Sequence, residues 1–494
     1  MMSDLVSSTP GPVSIGSRVA EQARLKPDEP VMWCIAPDGN GTSYTWTEIH
    51  RRSTQLAIAL RERGLGEADR LSIGLHNSFQ FVIAAFAAWK LGATPVPMRW
   101  DLPEWELGRL RDVIAGAVHL GEEDVEWIDA TSEGSVHALP DVIAPSMQGI
   151  CSSGSTGLPK VILSKRAGIF DPALNRPLLE YWCSALARPQ TVAVLGPMYH
   201  VNGFAGLGSL MADDYLVIME KFDAATVVDV IGRYRVSTFN CTPTMLKRMA
   251  DLPDIDSRDL SSIEWISQGA APMPTYLVQR WIDLVGAEHL VMAYGMSEGL
   301  GITAIRGDEW YDHQGSVGRP MRDTEVRIVD ADGTGVPPGE VGEIYLRSVS
   351  SGGAKYLGEV AQLKMSEDGF GTVGDMGYVD DEGFLYLIDR RQDLIISGGA
   401  NVYPAEVELA LMDHPKIADV VVIGLTDPEW GRRVHAIVEP ADPADPPTLE
   451  DIRGFVKERL APYKVPKTVE VIGAIPRSAA TKVNRGALTE ARGG

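Results

Sequence analysis

Through the first three-quarters of the chain, helix-length apolar stretches alternate with short apolar strands. Gln80 to Leu91 (QFVIAAFAAWKL) predicts a helix closed by Gly92, whereas Thr191 to Leu195 and Val236 to Asn240 predict strands. Alternation of this kind builds βαβ units with largely parallel sheets. From about Thr324 the spacing tightens. TEVRIVDADGTGV, GEIYLRS and GYVDDEGFLYLID are short strand-forming runs separated by turn signals, and they predict an antiparallel meander or a small β-barrel-like subdomain.

After Asp389-Arg390-Arg391-Gln392 a further unit begins. A helix is expected at Pro404 to Met412 and a strand at Ala418 to Gly424, followed by the polar, proline-rich ADPADPP at 441–447. The fold class is therefore α/β. A large N-terminal domain spans 1–391, with its β subdomain over about 324–391, and a small α+β C-terminal domain spans 393–494, with the boundary at Gln392. No internal repeat or long low-complexity segment stands out.

At 494 residues the chain exceeds one compact core, and 45% hydrophobic with 23% charged residues is an ordinary globular composition. A formal net charge of −22 argues against non-specific binding to nucleic acid or to an anionic membrane, so a phosphate ligand needs a local site. Cys34, Cys151, Cys183 and Cys241 form neither a C-x-x-C pair nor a disulfide-like pattern, which fits a reduced, cytoplasmic compartment. The opening MMSDLVSSTPGPVS lacks the basic start and apolar core of a signal peptide, and no apolar run reaches membrane-spanning length.

The densest chemical signal is Cys151-Ser-Ser-Gly-Ser-Thr-Gly-Leu-Pro-Lys160. Glycines let backbone amides approach an anion, hydroxyls donate hydrogen bonds, and lysine adds compact positive charge, a combination suited to a polyphosphate. The spacing is not that of a Walker A loop, and the segment alone reads equally as a flexible surface loop. Tyr294-Gly-Met-Ser-Glu298 follows the apolar HLVMA and offers an aromatic face, a hydroxyl and one carboxylate at a strand end, where Mg²⁺ with few protein ligands is at home. Asp375 lies fifteen residues before Arg390, a carboxylate and a guanidinium able to hold ribose hydroxyls or simply each other. His200 follows a strand in Pro197-Met-Tyr-His-Val-Asn-Gly203, and Lys482 stands alone in a small-residue loop near the C-terminus.

Taken in order, these segments resemble the adenylate-forming superfamily of acyl-CoA synthetases, firefly-luciferase-like enzymes and peptide-synthetase adenylation domains. The similarity runs from about Ser43 to Leu488 and includes HNSFQFVIAAFAAWKLGATPVPM, WISQGAAPMP and LIDRRQDLIISGGANVYPAEVE. The resemblance implies that Ser152, Ser153, Gly154, Ser155, Thr156, Gly157 and Lys160 hold the phosphates of ATP. It implies that Glu298 binds Mg²⁺, with Ser297 near the α-phosphate and Tyr294 and Gly295 at the adenine. Gly269, Ala270 and Ala271 edge the adenine and acyl pocket, and Asp375 and Arg390 hold the ribose. His200 stands between the two pockets, with Val201, Gly203, Phe204, Phe239 and Gly269 on the acid side. Lys482 reaches the carboxylate and α-phosphate from a C-terminal domain that rotates about Gln392. Ser397, Gly398 and Gly399 then line a pantetheine channel.

Four positions depart from the commonest family pattern: Val161, Gln268 and Thr481 replace glycines and Val373 replaces a threonine. The implied reaction is ATP- and Mg²⁺-dependent formation of an acyl-adenylate, then transfer of the acyl group to coenzyme A. Transfer to a separate carrier protein, or a non-catalytic nucleotide- or acyl-binding homologue, are the alternatives. A homodimer is compatible with this class. Small residues in Val201 to Gly208 and Gln268 to Ala271 suggest room for a bulky apolar acid, with Thr242 and Met245 as further candidates to face it.

Overall fold

The computed structural model describes residues 11–116, 118–134, 136–153, 159–174, 188–358, 362–390, 393–477 and 483–494. Its largest element is a nine-stranded sheet. From one edge the strands run Arg319–Pro320, Ile302–Arg306, Leu290–Gly295, Trp265–Gln268, Thr238–Cys241, Thr191–Val194, Tyr215–Met219, Pro30–Ile35 and Gly41–Thr45. The inner strands, from Leu290–Gly295 to Pro30–Ile35, pair in parallel, and antiparallel strands close both edges. Parallel strands covered on both faces read as continuous apolar runs, as in Leu216 to Met219.

Observed element bounds depart from the expected ones by one to three residues, and at the strand expected from Val236 the reason is local. The helix Ala224–Tyr234 ends on Arg235 at φ +52°, and the Val236 amide turns back to the Ile231 carbonyl. That closing bond consumes Val236; the Ser237 amide then bonds the Thr191 carbonyl at 2.9 Å, and the strand runs Thr238–Cys241.

The helix Phe79–Lys90 starts on Ser78, whose hydroxyl accepts from the Phe81 amide, and all its residues except Gln80 are buried. A helix apolar round its whole circumference has no face to give to water. Phe81, Phe86 and Trp89 fill the largest core together with Phe204, Leu210 and Leu216. A small parallel sheet, Arg70–Gly74 between Thr94–Pro97 and Val118–Gly121, flanks it.

Gly149–Ser153 and Pro159–Ser164 form an antiparallel pair with Ser153 opposite Pro159, and Ala354–Leu357 adds a third strand on the far side. A six-stranded antiparallel sheet built on Glu325–Val329, Gly342–Arg347, Asp375–Val379 and Leu385–Arg390 follows. From Ile395 a five-stranded sheet with helices Pro404–Met412 and Leu449–Lys457 encloses its own core of Val402, Val407, Leu411, Val422, Val434 and Val438. Among the described residues no helix is long and apolar enough to cross a membrane.

Candidate functional site

Two neighbouring parallel strands, Trp265–Gln268 and Leu290–Gly295, end side by side, and the segments leaving them hold most of the chemistry. Carboxyl ends of parallel strands are where α/β sheets leave a crevice for ligands. Gly269, Ala270 and Ala271 follow the first strand, with Ala270 and Ala271 exposed. Ala270 sits at φ +74°, a conformation that costs a non-glycine residue about 1 kcal/mol or more. The buried Gln268 side chain holds the loop in place: Nε2 donates to the Gly269 carbonyl at 3.2 Å and the Ala271 carbonyl at 2.8 Å. A β-carbon at Gly269 would stand 3.2 Å from the Ala293 carbonyl oxygen, so the two strand ends approach closely there.

At the second strand end the Tyr294 hydroxyl donates to Asp375 Oδ2 at 2.7 Å, and both residues are buried. Asp375 arrives from the antiparallel sheet, after Gly374 at φ +86°, and its backbone is paired opposite Arg390. The side chain of Arg390 lies outside the described residues, as do those of Ser152 and Ser153. Gly295 and Ser297 are exposed and Glu298 is 8% exposed.

Glu298 meets two side chains from the three-stranded antiparallel sheet. Tyr356 Oη donates to Glu298 Oε1 at 2.7 Å, and Lys160 Nζ lies 3.5 Å from the same oxygen and 3.8 Å from the centre of the Tyr356 ring. Burial, then the Glu298 charge and the hydrogen bond to it, push the Tyr356 phenol well above its usual range, so the hydroxyl stays a donor. The sequence reading missed Tyr356 and treated Gln268 as a departure from a family pattern and as part of a segment bordering the acid, not as a brace for the loop. Neither carries a local signal, because each acts through a contact that only the fold creates.

His200 is half-buried at the head of the short helix Val201–Phe204, and its ring lies 4.6 Å from that of Tyr199. Val201 packs against Ile150 and Ile162. Gly203 answers a backbone crossing, since a β-carbon there would fall 2.3 Å from the Pro197 carbonyl oxygen. Phe204 and Phe239, expected beside the acid pocket, are enclosed in the two largest cores. Phe204 makes edge-to-face contacts with Phe81 and Trp89. Phe239 belongs to the core that also holds Val227, Ile231 and Met245.

In the C-terminal sheet, Gly398 and Gly399, at φ +58° and +82°, turn the hairpin between Ile395–Ser397 and Ala400–Val402. Ser397 is buried, and a β-carbon at Gly398 would meet the Trp430 ring at 2.6 Å. Gly154, Ser155, Thr156, Gly157, Gln392 and Lys482 lie outside the described residues.

The groups present suit a magnesium nucleotide. Mg²⁺ takes one or two protein carboxylates and keeps several waters. Glu298 offers a carboxylate whose Oε1 is held, while no described residue hydrogen-bonds Oε2.

The model of AMP-binding enzymes matches residues 19–142 and 147–353, and that of the AMP-binding enzyme C-terminal domain matches 406–482. A feruloyl-CoA synthase from an Amycolatopsis species is 31% identical over 491 residues, covering 96% of this chain and 98% of that protein. The o-succinylbenzoate CoA synthetase of Bacillus subtilis, solved with its acyl-adenylate intermediate, superposes with a TM-score of 0.80 at 26% identity over 97% of this chain and 98% of that one. The same protein with ATP and a magnesium ion gives a TM-score of 0.79 at 25% identity, over 95% and 98% of the two chains.

Proposed function

The chain belongs to the AMP-binding enzyme family, and from that membership we propose that it joins a carboxylic acid to coenzyme A through an acyl-adenylate, at the expense of ATP. The observation that carries the reading is the cluster at the strand ends. Asp375 and Glu298, each held by a tyrosine hydroxyl, stand there with Lys160 beside Glu298, in a chain aligned over nearly its full length with a CoA synthase.

In the first half-reaction an oxygen of the substrate carboxylate bonds to the α-phosphorus of ATP and the bond to pyrophosphate breaks. Negative groups must be held together for this, so the work is positioning and electrostatic stabilisation. A magnesium ion on Glu298 would supply charge neutralisation at the phosphates. Lys160 and the segment Ser152 to Gly157 bind the leaving phosphates, Asp375 and Arg390 orient the ribose, and Gly269 to Ala271 border the adenine. Lys482 places its ammonium against the carboxylate and the α-phosphate. In the second half-reaction the coenzyme A thiolate attacks the carbonyl carbon and AMP leaves, its bridging oxygen keeping the electron pair.

Lys482 would obstruct the incoming thiol, so the C-terminal unit beyond Gln392 rotates between the two steps and brings Ser397 to Gly399 to the pantetheine path. Gln392→Pro, which restricts φ at the pivot, is expected to spare pyrophosphate release and slow thioester formation; equal loss of both sinks the pivot.

The acid is best sought among aromatic acids first, because a feruloyl-CoA synthase and an o-succinylbenzoate CoA synthetase are among the relatives, with fatty acids next because a fatty acid ligase is another. Glycine at 203 is explained by the backbone, which removes one reason to expect room for a bulky acid of any kind. The deciding experiment incubates the protein with aromatic, aliphatic and polycyclic acids, ATP and Mg²⁺, with and without coenzyme A, and follows acyl-AMP and acyl-CoA by mass spectrometry. One acid should give acyl-AMP alone and acyl-CoA when the thiol is added. No adenylate from any acid would overturn the reading.

A further inference from the structure

Glu298 enters the cleft from a tight turn in which the Gly299 amide bonds back to the Met296 carbonyl, and nothing in that turn hydrogen-bonds its carboxylate. Both side chains that reach it contact Oε1: the Tyr356 hydroxyl at 2.7 Å and the Lys160 ammonium at 3.5 Å. No described residue hydrogen-bonds Oε2. We propose that Tyr356 is a positioning residue for Glu298, its hydroxyl fixing Oε1 and thereby presenting Oε2 to the divalent cation that accompanies the nucleotide. This rests on the AMP-binding reading above.

The two contacts differ in what they do to the charge. An ammonium neutralises a carboxylate and competes with a cation for it, whereas a hydroxyl orients one oxygen and leaves the charge in place. They differ also in how they are anchored. Tyr356 is paired opposite Ile162 in the three-stranded sheet, which fixes its backbone on both flanks through Leu163 and Val161. Lys160 stands at the end of that sheet, beside the segment assigned to the phosphates, and its flexible stem lets the ammonium follow them. When nucleotide phosphates draw Lys160 away, Tyr356 remains as the group that holds the carboxylate's orientation. Groups that orient a metal ligand from behind typically contribute about 10- to 100-fold in metal affinity.

A tyrosine that only satisfied a buried carboxylate would affect folding stability and nothing else, and the test separates the two. The full-length Tyr356→Phe protein, saturated with a non-hydrolysable ATP analogue, is titrated with Mn²⁺ and the bound ion is read by electron paramagnetic resonance. The Mn²⁺ dissociation constant is expected to rise about tenfold or more. Wild-type Mn²⁺ affinity in Tyr356→Phe overturns the proposal, with or without a lowered melting temperature. A cycle with Glu298→Gln guards against a general disturbance of the fold. Once the cation ligand is gone, Tyr356→Phe should weaken Mn²⁺ no further, and additive losses overturn the proposal. Failure of the wild-type protein itself to bind Mn²⁺ with the analogue would instead remove the functional reading, and this inference with it.

Discussion

The cleft at the strand ends and the interior behind the helix Phe79–Lys90 both enclose charge, and they treat it in opposite ways. In the cleft, Glu298 and Asp375 are 8% and 9% exposed, and each takes a tyrosine hydroxyl at 2.7 Å. In the interior, Lys90 is 5% exposed, and its partners among the described residues are neutral: His50 Nδ1 at 3.1 Å, the His50 carbonyl at 2.9 Å and Thr54 Oγ1 at 2.8 Å. Burial pushes Lys90 down to about 7, and burial together with the Lys90 charge pushes His50 down to about 4. The strand-end site orients its carboxylates with hydroxyl donors, and Lys160 adds a cation beside Glu298. The interior satisfies its lysine with hydrogen bonds and favours its neutral form. Disturbing the first should cost chemistry, and disturbing the second should change stability and its dependence on pH.

The largest effect should come from Glu298→Gln, which keeps the shape and removes the charge. Adenylate formation is expected to fall about a hundredfold or more, since a bound divalent cation supplies several kcal/mol of charge stabilisation. The melting temperature should barely move. A large loss of stability with little loss of rate would erase the contrast between the regions. Gln268→Met comes next. It keeps volume while removing the donor that braces Ala270, and two bonds of roughly 1 kcal/mol each bound the rise in KM for ATP at about thirtyfold. A fall in kcat with unchanged KM would mean that the loop does not border the nucleotide.

Lys90→Met should have the smallest effect on rate, none within error, because among the described residues Lys90 hydrogen-bonds only His50 and Thr54. Its signature is in the pH profile of stability. Between pH 7 and 10.5 the unfolded chain keeps a proton on this lysine that the folded chain has released, so wild-type stability rises with pH across that window. Below pH 7 both states carry the proton, and the folded state bears the full cost of burying it. The variant should therefore melt about 2 °C higher at pH 6, with the gain shrinking towards pH 10. A parallel offset at every pH would show that Lys90 is not the titrating group.

Much of the architecture was legible because it rests on local patterns. The helix Pro404–Met412 has its expected bounds, set by a proline in its first turn, and the parallel strands follow from the alternation of apolar runs. Lys160, Tyr294, Glu298 and Asp375 could be picked out as residue types suited to a nucleotide, and the fold brings them into two contacts at the end of the strand Leu290–Gly295. What each touches was not legible. The Tyr294 hydroxyl grips Asp375, 81 residues away, a contact that no local pattern announces. Tyr356 sits in an unremarkable AKYLG, and only its pairing opposite Ile162 carries it to Glu298. Phe204 and Phe239 illustrate a different limit. An apolar side chain suits a packed core and an apolar acid pocket alike, so residue type alone does not separate the two.

The enclosed helix Phe79–Lys90 has a further consequence, for how the protein breathes. With every residue but Gln80 buried, none of its turns can fray into solvent without opening the largest core around it. Its interior amides should therefore be among the slowest in the chain to exchange with deuterium, through openings close in free energy to unfolding of the whole surrounding domain.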